Sequence, residues 1–316
     1  MSYRKSQYCR VEHLLQNSDV FGGDQGGGEY RKKSYPFILQ NYNNNLYGDF
    51  REAMLQYFSE NGIAWWGGTQ PTTHPLSSQV SCLNHLFSIR EDKNAVLSIM
   101  KSIDPKVVDA LKIETDRFSP AYIQFEAVSD TDHLNERAST RGSNCTSLDA
   151  LMYGKRESDS TVLFPIEWKY TEVYGNDDKA KGNQGATRKQ RYTSLINESQ
   201  QLLADNHSIY YFEPFYQLMR QTLWAEQMVF NRDTETLKVD DFLHIHVVPQ
   251  ENEDLLNKVY PCSGMAMETT WRSCLRDQGK YRIITPQKLL EPLDRDEYGE
   301  LLEYLRVRYW NPLSLT

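Results

Sequence analysis

Cysteine is scarce in this sequence and follows no recognisable pattern. The five cysteines are odd in number and scattered, with no CxxC pair among them: Cys9, Cys82, Cys145, Cys262 and Cys274. Disulfide frameworks and structural zinc sites need regularly spaced cysteines. The sequence therefore argues against both, and we expect the protein in a reducing cytoplasm.

Long apolar segments are also missing. No run approaches the ~18 apolar residues of a membrane span. The first ten residues, MSYRKSQYCR, lead into polar sequence without the apolar stretch of a secretory signal. We expect no membrane partner.

Positive charge is the third shortage. Lys and Arg total 35 against 43 Asp and Glu, for a net charge of -8 and a pI of about 5.5. Phosphate contacts need lysine and arginine. This balance argues against a protein that coats nucleic acid non-specifically, and an enzyme acting on DNA would need a local concentration of basic residues.

The glycine-rich stretch FGGDQGGGEY (21–30) lacks the GxxxxGK[ST] pattern of a phosphate-binding loop, and no apolar strand leads into it. It is predicted to be a flexible loop within a loosely structured segment, 1–47.

The composition is that of an ordinary globular protein, with 39% hydrophobic and 25% charged residues. We place a core at 48–260 and a C-terminal helical and strand extension, packed on that core, at 261–316.

Periodicity and boundary residues predict an alternation of helices and strands. The predicted helices lie at 49–61, 76–87, 105–112, 194–204 and 212–230. The predicted strands lie at 121–129, 147–154, 161–173, 241–249 and 281–285. The central order of strand, strand, strand, helix and strand indicates the α/β class.

The segment TVLFPIEWKYTEV (161–173) is the strongest strand candidate. Side chains alternate between the two faces of a strand. One face is apolar or aromatic throughout, with Val162, Phe164, Ile166, Trp168 and Tyr170. The other begins with Leu163 and Pro165 and ends with Glu167 and Lys169. This pattern is typical of a central strand that emerges into a cleft.

An acidic residue two positions before a lysine is a common pattern, and an exposed ion pair is the alternative interpretation of Glu167 and Lys169. The upstream context favours a site. Asp149 lies 18 positions before Glu167, and the polar segment KRESDS (155–160) would join the two strands as a hairpin. Two carboxylates and one lysine would then converge at the open end of the hairpin.

Phosphodiester hydrolysis uses this combination of groups. Carboxylates are hard oxygen ligands for Mg²⁺, which polarises the phosphoryl oxygen and lowers the pKa of a bound water. A lysine can position or deprotonate that water and offset charge in the transition state. An unrelated hydrolase that uses Asp149 and Glu167 as an acid–base pair remains an alternative.

The segments TSLDA and PIEWKYTE resemble the signature of the PD-(D/E)XK superfamily of restriction-endonuclease-like nucleases. The resemblance covers about 120–250, and Leu148 stands where the motif has proline. It implies an αβββαβ core with a mixed central sheet flanked by helices, with helical decorations at both ends of the chain. It also implies that Asp149, Glu167 and Lys169 are catalytic, and that the backbone carbonyl of Trp168 joins Asp149 and Glu167 on the metal.

The function implied is a Mg²⁺-dependent endonuclease that hydrolyses DNA, with Mn²⁺ able to substitute, as in restriction or phage-defence enzymes. The alternative from a different class is an inactive nuclease fold that binds DNA or a protein partner. The intact acidic and lysine set argues against that alternative. Because cutting both strands often calls for a two-fold dimer, a homodimer is also considered.

Further residues are candidates for the same site. Glu126, on the strand at 121–129, is predicted to be a third catalytic acid, with an edge-strand surface glutamate as the alternative. Glu172, just beyond the lysine, is expected to support the site or to lie on the surface. Gln217 and Arg220 lie one turn apart on the helix at 212–230, where they would support the site or form a solvated helix face.

The stretch KAKGNQGATRKQR (179–191) contains five basic residues and no acidic one. We expect a flexible loop close to the catalytic strand, in a position to contact phosphates. The candidate nucleic-acid-binding residues are Arg141, Lys181, Arg188, Lys189 and Arg191. A structural role is favoured for His244 and His246, because no further zinc ligand is evident near them.

Overall fold

A computed structural model describes residues 1–66, 68–115, 118–137 and 145–310. Within them the α-helices are α1 (Tyr3–Asn17), α2 (Arg51–Glu60), α3 (Ser78–Leu86), α4 (Lys93–Ile103), α5 (Gly185–Glu198), α6 (Phe215–Phe230), α7 (Glu253–Leu256), α8 (Met267–Ser273), α9 (Pro286–Leu290) and α10 (Arg295–Leu305). The strands are β1 (Glu29–Tyr30), β2 (Lys33–Ser34), β3 (Val107–Leu111), β4 (Ile113–Thr115), β5 (Phe118–Ala121), β6 (Ile123–Ala127), β7 (Leu148–Arg156), β8 (Thr161–Trp168), β9 (Asp241–Phe242), β10 (His244–Val247) and β11 (Tyr281–Ile284). A π-helical turn, Arg306–Trp310, continues α10.

In the part of the chain that the structure describes, the centre is a mixed sheet of seven strands. β7 pairs antiparallel with β8 along one edge, and with β3 and β6 along the other. β9 and β10 both run parallel to β8, and β11 runs parallel to β10 at the outer edge. The expected α/β class, with a mixed central sheet flanked by helices, is confirmed.

Each face of the sheet buries its own apolar cluster. On one face Phe164, Ile166 and Trp168 pack with side chains from α3 and α4, and with residues from both ends of the chain. On the other face Leu151 and Leu163 pack against α6. The alternation predicted for 161–173 is therefore correct as far as Trp168, where β8 ends.

Pro165 lies in the middle of β8, although proline cannot donate a hydrogen bond to a neighbouring strand. Leu243 donates its N–H to the carbonyl of Leu163, so alternate residues of β8 face the β9 and β10 side. The position of the missing N–H of Pro165 coincides with the interruption between these two strands. The strand therefore accommodates proline without losing a regular pairing.

The local structure predicted for 105–112 and for the first 47 residues is wrong. The segment 105–112 forms strand β3 rather than a helix, because it pairs with β7 directly after α4 ends. The first 47 residues are not loosely structured throughout. Helix α1 buries Val11, Leu14 and Leu15 in the first apolar cluster.

The C-terminal residues contribute a strand to the central sheet rather than only packing on it. Strand β11 comes from the segment that we assigned to an extension, and it pairs with β10 through all four of its residues. The boundaries proposed at 48 and 261 remain predictions.

The glycine-rich stretch is closely packed rather than a flexible loop. A Cβ atom on Gly26 would lie 2.0 Å from the carbonyl oxygen of Pro36, and one on Gly28 would lie 2.0 Å from that of Leu39. The Asp24 carboxylate accepts hydrogen bonds from the backbone N–H groups of Gly26, Gln40 and Asn41. The glycines are needed because backbone approaches backbone here.

We therefore expect Gly28→Ala to lower the free energy of unfolding by roughly 1–3 kcal/mol, the usual cost of overpacking. The matched control is Gly48→Ala, since a Cβ at Gly48 meets no atom within 4 Å. Denaturant unfolding of both variants makes the comparison. Equal stability of the two variants would contradict the packing argument.

Candidate active site

The antiparallel register of β7 and β8 brings two carboxylates together. Ala150 on β7 pairs with Ile166 on β8. Because the strands are antiparallel, Asp149, which precedes Ala150, lies opposite Glu167, which follows Ile166. β7 begins where β8 ends, which puts both acids at the same edge of the sheet. A carboxylate oxygen of Asp149 accepts the backbone N–H of Trp168 at 2.6 Å. The convergence expected from the sequence is present.

Lys169 follows β8 directly and is held in place by its backbone and its side chain. Its N–H donates to the carbonyl of Val247 on β10 at 2.9 Å. Its ammonium group forms an ion pair with the Glu167 carboxylate and donates to Gln217 Oε1 at 2.5 Å. Both Glu167 and Lys169 are buried, so each charge depends on the other.

Glu126 lies on β6, the neighbour of β7 on the other side. Phe125 pairs with Ala150 and Ala127 with Leu148, which puts Glu126 level with Asp149. The carboxylate accepts hydrogen bonds from Gln79 and Ser147, both at 2.8 Å. Its backbone φ of 48° is left-handed, which is unusual for a residue other than glycine. Strained backbone of this kind tends to cluster at functional sites.

Polar residues of α6 and β10 that sequence reasoning missed support the acids from behind. Gln221 Nε2 donates to Glu167, and its Oε1 lies 2.9 Å from His244 Nε2. His244 Nδ1 in turn lies 3.2 Å from the hydroxyl of Thr222. Because the Gln221 amide nitrogen donates to Glu167, its oxygen must accept, and His244 must carry its proton on Nε2. The spacing of Gln217 and Gln221, four residues apart on one helix face, was a usable signal.

Burial and mutual repulsion determine the charges at the site. Burial raises the pKa of Asp149 well above its usual range, and the neighbouring Glu167 raises it further, while Lys169 acts in the opposite direction. Burial alone would lower the pKa of Lys169, but Glu167 and other nearby groups outweigh it and raise that pKa well above normal. Burial lowers the pKa of His244 to about 4. At neutral pH Lys169 is therefore a cation and His244 is neutral.

These residues line one cavity of about 790 Å³. Its wall includes Glu126, Asp149, Glu167, Lys169, Gln217 and Gln221. Residues from the first 80 positions also line it, namely Arg4, Tyr8, Tyr30, Arg31, Trp66 and His74. A contribution to the site from the first 80 residues was not expected from the sequence.

The donor groups suit a hard divalent cation. Asp149 and Glu167 supply oxygen atoms only, and the Trp168 carbonyl lies between Glu167 and Lys169 in the chain. Mg²⁺ retains several waters and is commonly bound by one or two carboxylates. Among the residues that the structure describes, no three His, Cys, Asp or Glu side chains form a fuller metal-binding cluster. The arrangement therefore fits Mg²⁺ better than zinc, which takes four protein ligands at structural sites.

Of the other residues predicted to belong to the site, Glu172 and Arg220 line the cavity. Glu172 lines the cavity and accepts the backbone N–H of Tyr170 at 2.7 Å. Arg220 also lines the cavity, but its guanidinium binds Glu136 rather than a site acid, at 3.0 Å. Arg141 lies outside the described residues.

The basic segment at 179–191 is not a loop throughout. Helix α5 begins at Gly185, nine residues earlier than predicted, so Arg188, Lys189 and Arg191 are helical. Arg188 lies over the ring of Tyr216 at 5.8 Å, and Arg220 lies over the same ring at 5.5 Å. Lys181 precedes the helix and lies 3.6 Å from Asp178. The start of α5 therefore packs close to one wall of the cavity.

The fold and the acidic site define an α/β protein whose chemistry is consistent with hydrolysis of a phosphodiester. The model of one protein family, described as restriction endonuclease associating with ARP, matches residues 8–310. The chain belongs to this family, and membership indicates a nuclease or defence-related function. No curated protein and no solved structure matches the chain. No helix in the described part of the chain has both the length and the apolar character needed to cross a bilayer.

The raised pKa of Asp149 gives a prediction about stability. The folded protein binds a proton on Asp149 more tightly than the unfolded chain does, so stability is lost as pH rises through the unfolded pKa of ~3.9 towards the higher folded value. We expect Asp149→Asn, which keeps an acceptor for the Trp168 N–H, to raise the melting temperature of the metal-free protein at pH 7.

The gain should shrink as pH falls towards 4, where Asp149 is protonated in the wild type. Melting curves of both proteins across this range, with chelator present, make the measurement. A wild-type protein that melts above the variant at pH 7 would show that the Asp149 charge is stabilising there.

Proposed function

We propose that this protein is a Mg²⁺-dependent endonuclease that hydrolyses phosphodiester bonds in DNA, in a restriction or phage-defence role. The observation that carries the proposal is the alignment of Asp149 with Glu167 across two strands, with Lys169 beside them in one cavity. Membership of a restriction endonuclease family supports DNA as the substrate. A homodimer would provide the second site needed to cut both strands.

Asp149, Glu167 and the Trp168 carbonyl are the proposed metal ligands. When bound, Mg²⁺ polarises the scissile phosphoryl oxygen and lowers the pKa of a coordinated water. Glu126 lies level with Asp149. We propose that its carboxylate accepts the proton of the attacking water or binds a further cation. Gln221 donates to one oxygen of Glu167 and so directs the carboxylate.

Lys169 is assigned an electrostatic role. The neighbouring Glu167 raises its pKa and favours the protonated ammonium. The ammonium can donate hydrogen bonds to the attacking water and to the non-bridging phosphoryl oxygens. Both contacts strengthen as negative charge develops in the transition state. Gln217 holds the ammonium from the opposite side.

The basic residues of 179–191 are proposed to contact phosphates flanking the scissile bond. Arg188 lies over the ring of Tyr216, as does Arg220 of the cavity wall. Lys181 and Lys189 have exposed side chains, which leaves them accessible to a duplex. Such contacts orient the duplex without reading its sequence.

The central test uses variants that keep the shape of each side chain. Asp149→Asn, Glu167→Gln and Lys169→Met should each reduce the cleavage rate at least about 100-fold, the usual scale for loss of a transition-state contact. Glu126→Gln should cause a smaller loss. Cleavage of plasmid and linear duplex DNA, methylated and unmethylated, gives the measurement, with circular dichroism to verify folding.

Lys238→Gln is a matched control, because its ammonium donates to backbone carbonyls outside the cavity. A folded Asp149, Glu167 or Lys169 variant with near-normal activity would show that the site is wrongly assigned. DNA binding by a wild-type protein that never cleaves would instead favour the inactive binding module.

The metal is tested separately from catalysis. Mg²⁺ or Mn²⁺ should raise the melting temperature of the wild-type protein, since a ligand that binds only the folded state stabilises it. The shift should be absent in Asp149→Asn and Glu167→Gln. Cleavage should likewise stop in EDTA. Strong cleavage in EDTA would exclude the metal mechanism.

A further inference from the structure

The glycine-rich stretch that the proposed mechanism leaves unused leads into a short basic hairpin. β1 and β2 pair antiparallel, with Tyr30 opposite Lys33, so only Arg31 and Lys32 form the turn. Three consecutive basic residues, Arg31, Lys32 and Lys33, are exposed at its tip. Tyr30 and Arg31 line the cavity that contains Asp149, Glu167 and Lys169.

The turn has a conformation that its residues do not favour. Arg31 has a φ of 51° and Lys32 a φ of 65°. Two-residue hairpin turns with positive φ at both positions strongly prefer Asn-Gly or Gly-Gly. Two long basic side chains therefore occupy positions where they cost stability. Strain retained at one place in a fold points to a use for the side chains that cause it.

The hairpin is held firmly in place over the cavity. Gly28 donates to the carbonyl of Ile38 at 2.8 Å, and Ser34 Oγ donates to that of Gly27 at 2.7 Å. The ring of Tyr30 packs edge-on against His74 at 4.9 Å. The closely packed glycines come directly before the hairpin, so the basic tip extends from a packed and hydrogen-bonded part of the chain.

The charges near the hairpin add to its own. Partial burial lowers the pKa of the His74 ring to about 4, and Arg4 and Arg31 lower it further in the same direction. The same wall of the cavity therefore holds two arginines close to a neutral histidine. Glu29 is the one acidic residue of the two strands. An anionic polymer that enters the cavity would meet these arginines in the same cavity as the acidic site.

We propose that the hairpin tip, Arg31, Lys32 and Lys33, binds the phosphate backbone of the DNA substrate at the mouth of the catalytic cavity. The inference rests on the proposed function for the identity of the substrate. It assigns the N-terminal segment a direct part in binding, which would partly explain how a chain of net charge -8 holds a polyanion. Contacts of this kind are independent of base sequence.

The first test removes the charges. Arg31→Gln, Lys32→Gln and Lys33→Gln are combined, and binding to a 30-base-pair duplex is measured by fluorescence anisotropy in Ca²⁺ at several salt concentrations. We expect affinity to fall at least about fivefold, and the salt slope to decrease by about 0.9 for each phosphate that the variant no longer neutralises. The matched control is Lys288→Gln with Arg295→Gln and Arg306→Gln, which removes three charges around a separate cavity.

The second test separates binding from folding. Arg31→Asn with Lys32→Gly supplies the residues that the turn prefers, so it should raise the melting temperature while weakening DNA binding. A purely structural hairpin would gain stability without losing affinity.

The inference is overturned if the charge-removal variant binds like its control, even when the wild-type protein cleaves DNA. It is also overturned if the wild-type protein binds no DNA. If binding depends on the hairpin but the wild-type protein cleaves nothing, the nuclease proposal fails while this inference stands.

Discussion

The buried pair of Glu167 and Lys169 constrains the arrangement of everything around it. Removing two charges from water costs several kcal/mol per ion, and their attraction compensates only when the remaining hydrogen-bonding groups are also satisfied. Gln217 and Gln221 on α6 provide those contacts, one to each partner. These contacts join α6 to the end of β8, and Gln221 in turn contacts His244 on β10.

The same pair shows the difference between a structural and a catalytic ion pair. A structural pair would be closed on all sides by protein, whereas this one lines a cavity of about 790 Å³ next to the partly buried Asp149. Burial and the neighbouring Glu167 destabilise Asp149 as an anion, which is why its pKa is raised. A divalent cation between the two carboxylates would relieve that repulsion, which is the physical basis for the proposed metal site.

The N-terminal segment contributes positive charge to the cavity beside the acidic groups of the sheet. The open edge of β7 and β8 presents acidic groups, which repel a phosphate backbone unless a positive surface faces them. Arg31 of the hairpin and Arg4 contribute positive charge to the wall of the cavity. The glycines that support the hairpin belong to a packed structure, so this wall is preformed.

Local sequence patterns were sufficient for the centre of the fold. The alternation in 161–173 determined which side chains of β8 face each apolar cluster, and the spacing of Asp149 and Glu167 around one tight connection determined that they meet. Period-two patterning and hairpin geometry are local properties, so they can be predicted from the chain alone. The convergence of Asp149, Glu167 and Lys169 was accessible for this reason.

Tertiary structure decided the rest. Segment 105–112 became a strand because β7 offered an edge for pairing, which no local pattern in that segment reveals. Arg220 turned to Glu136, while Gln221, one residue later, reached Glu167, and this choice depends on the rotation of α6 against the sheet. Part of the cavity lining, from Arg4 to His74, comes from residues more than 70 positions before the catalytic strands. Contacts over such separations depend on how whole elements pack, and a single sequence contains no local signal for them.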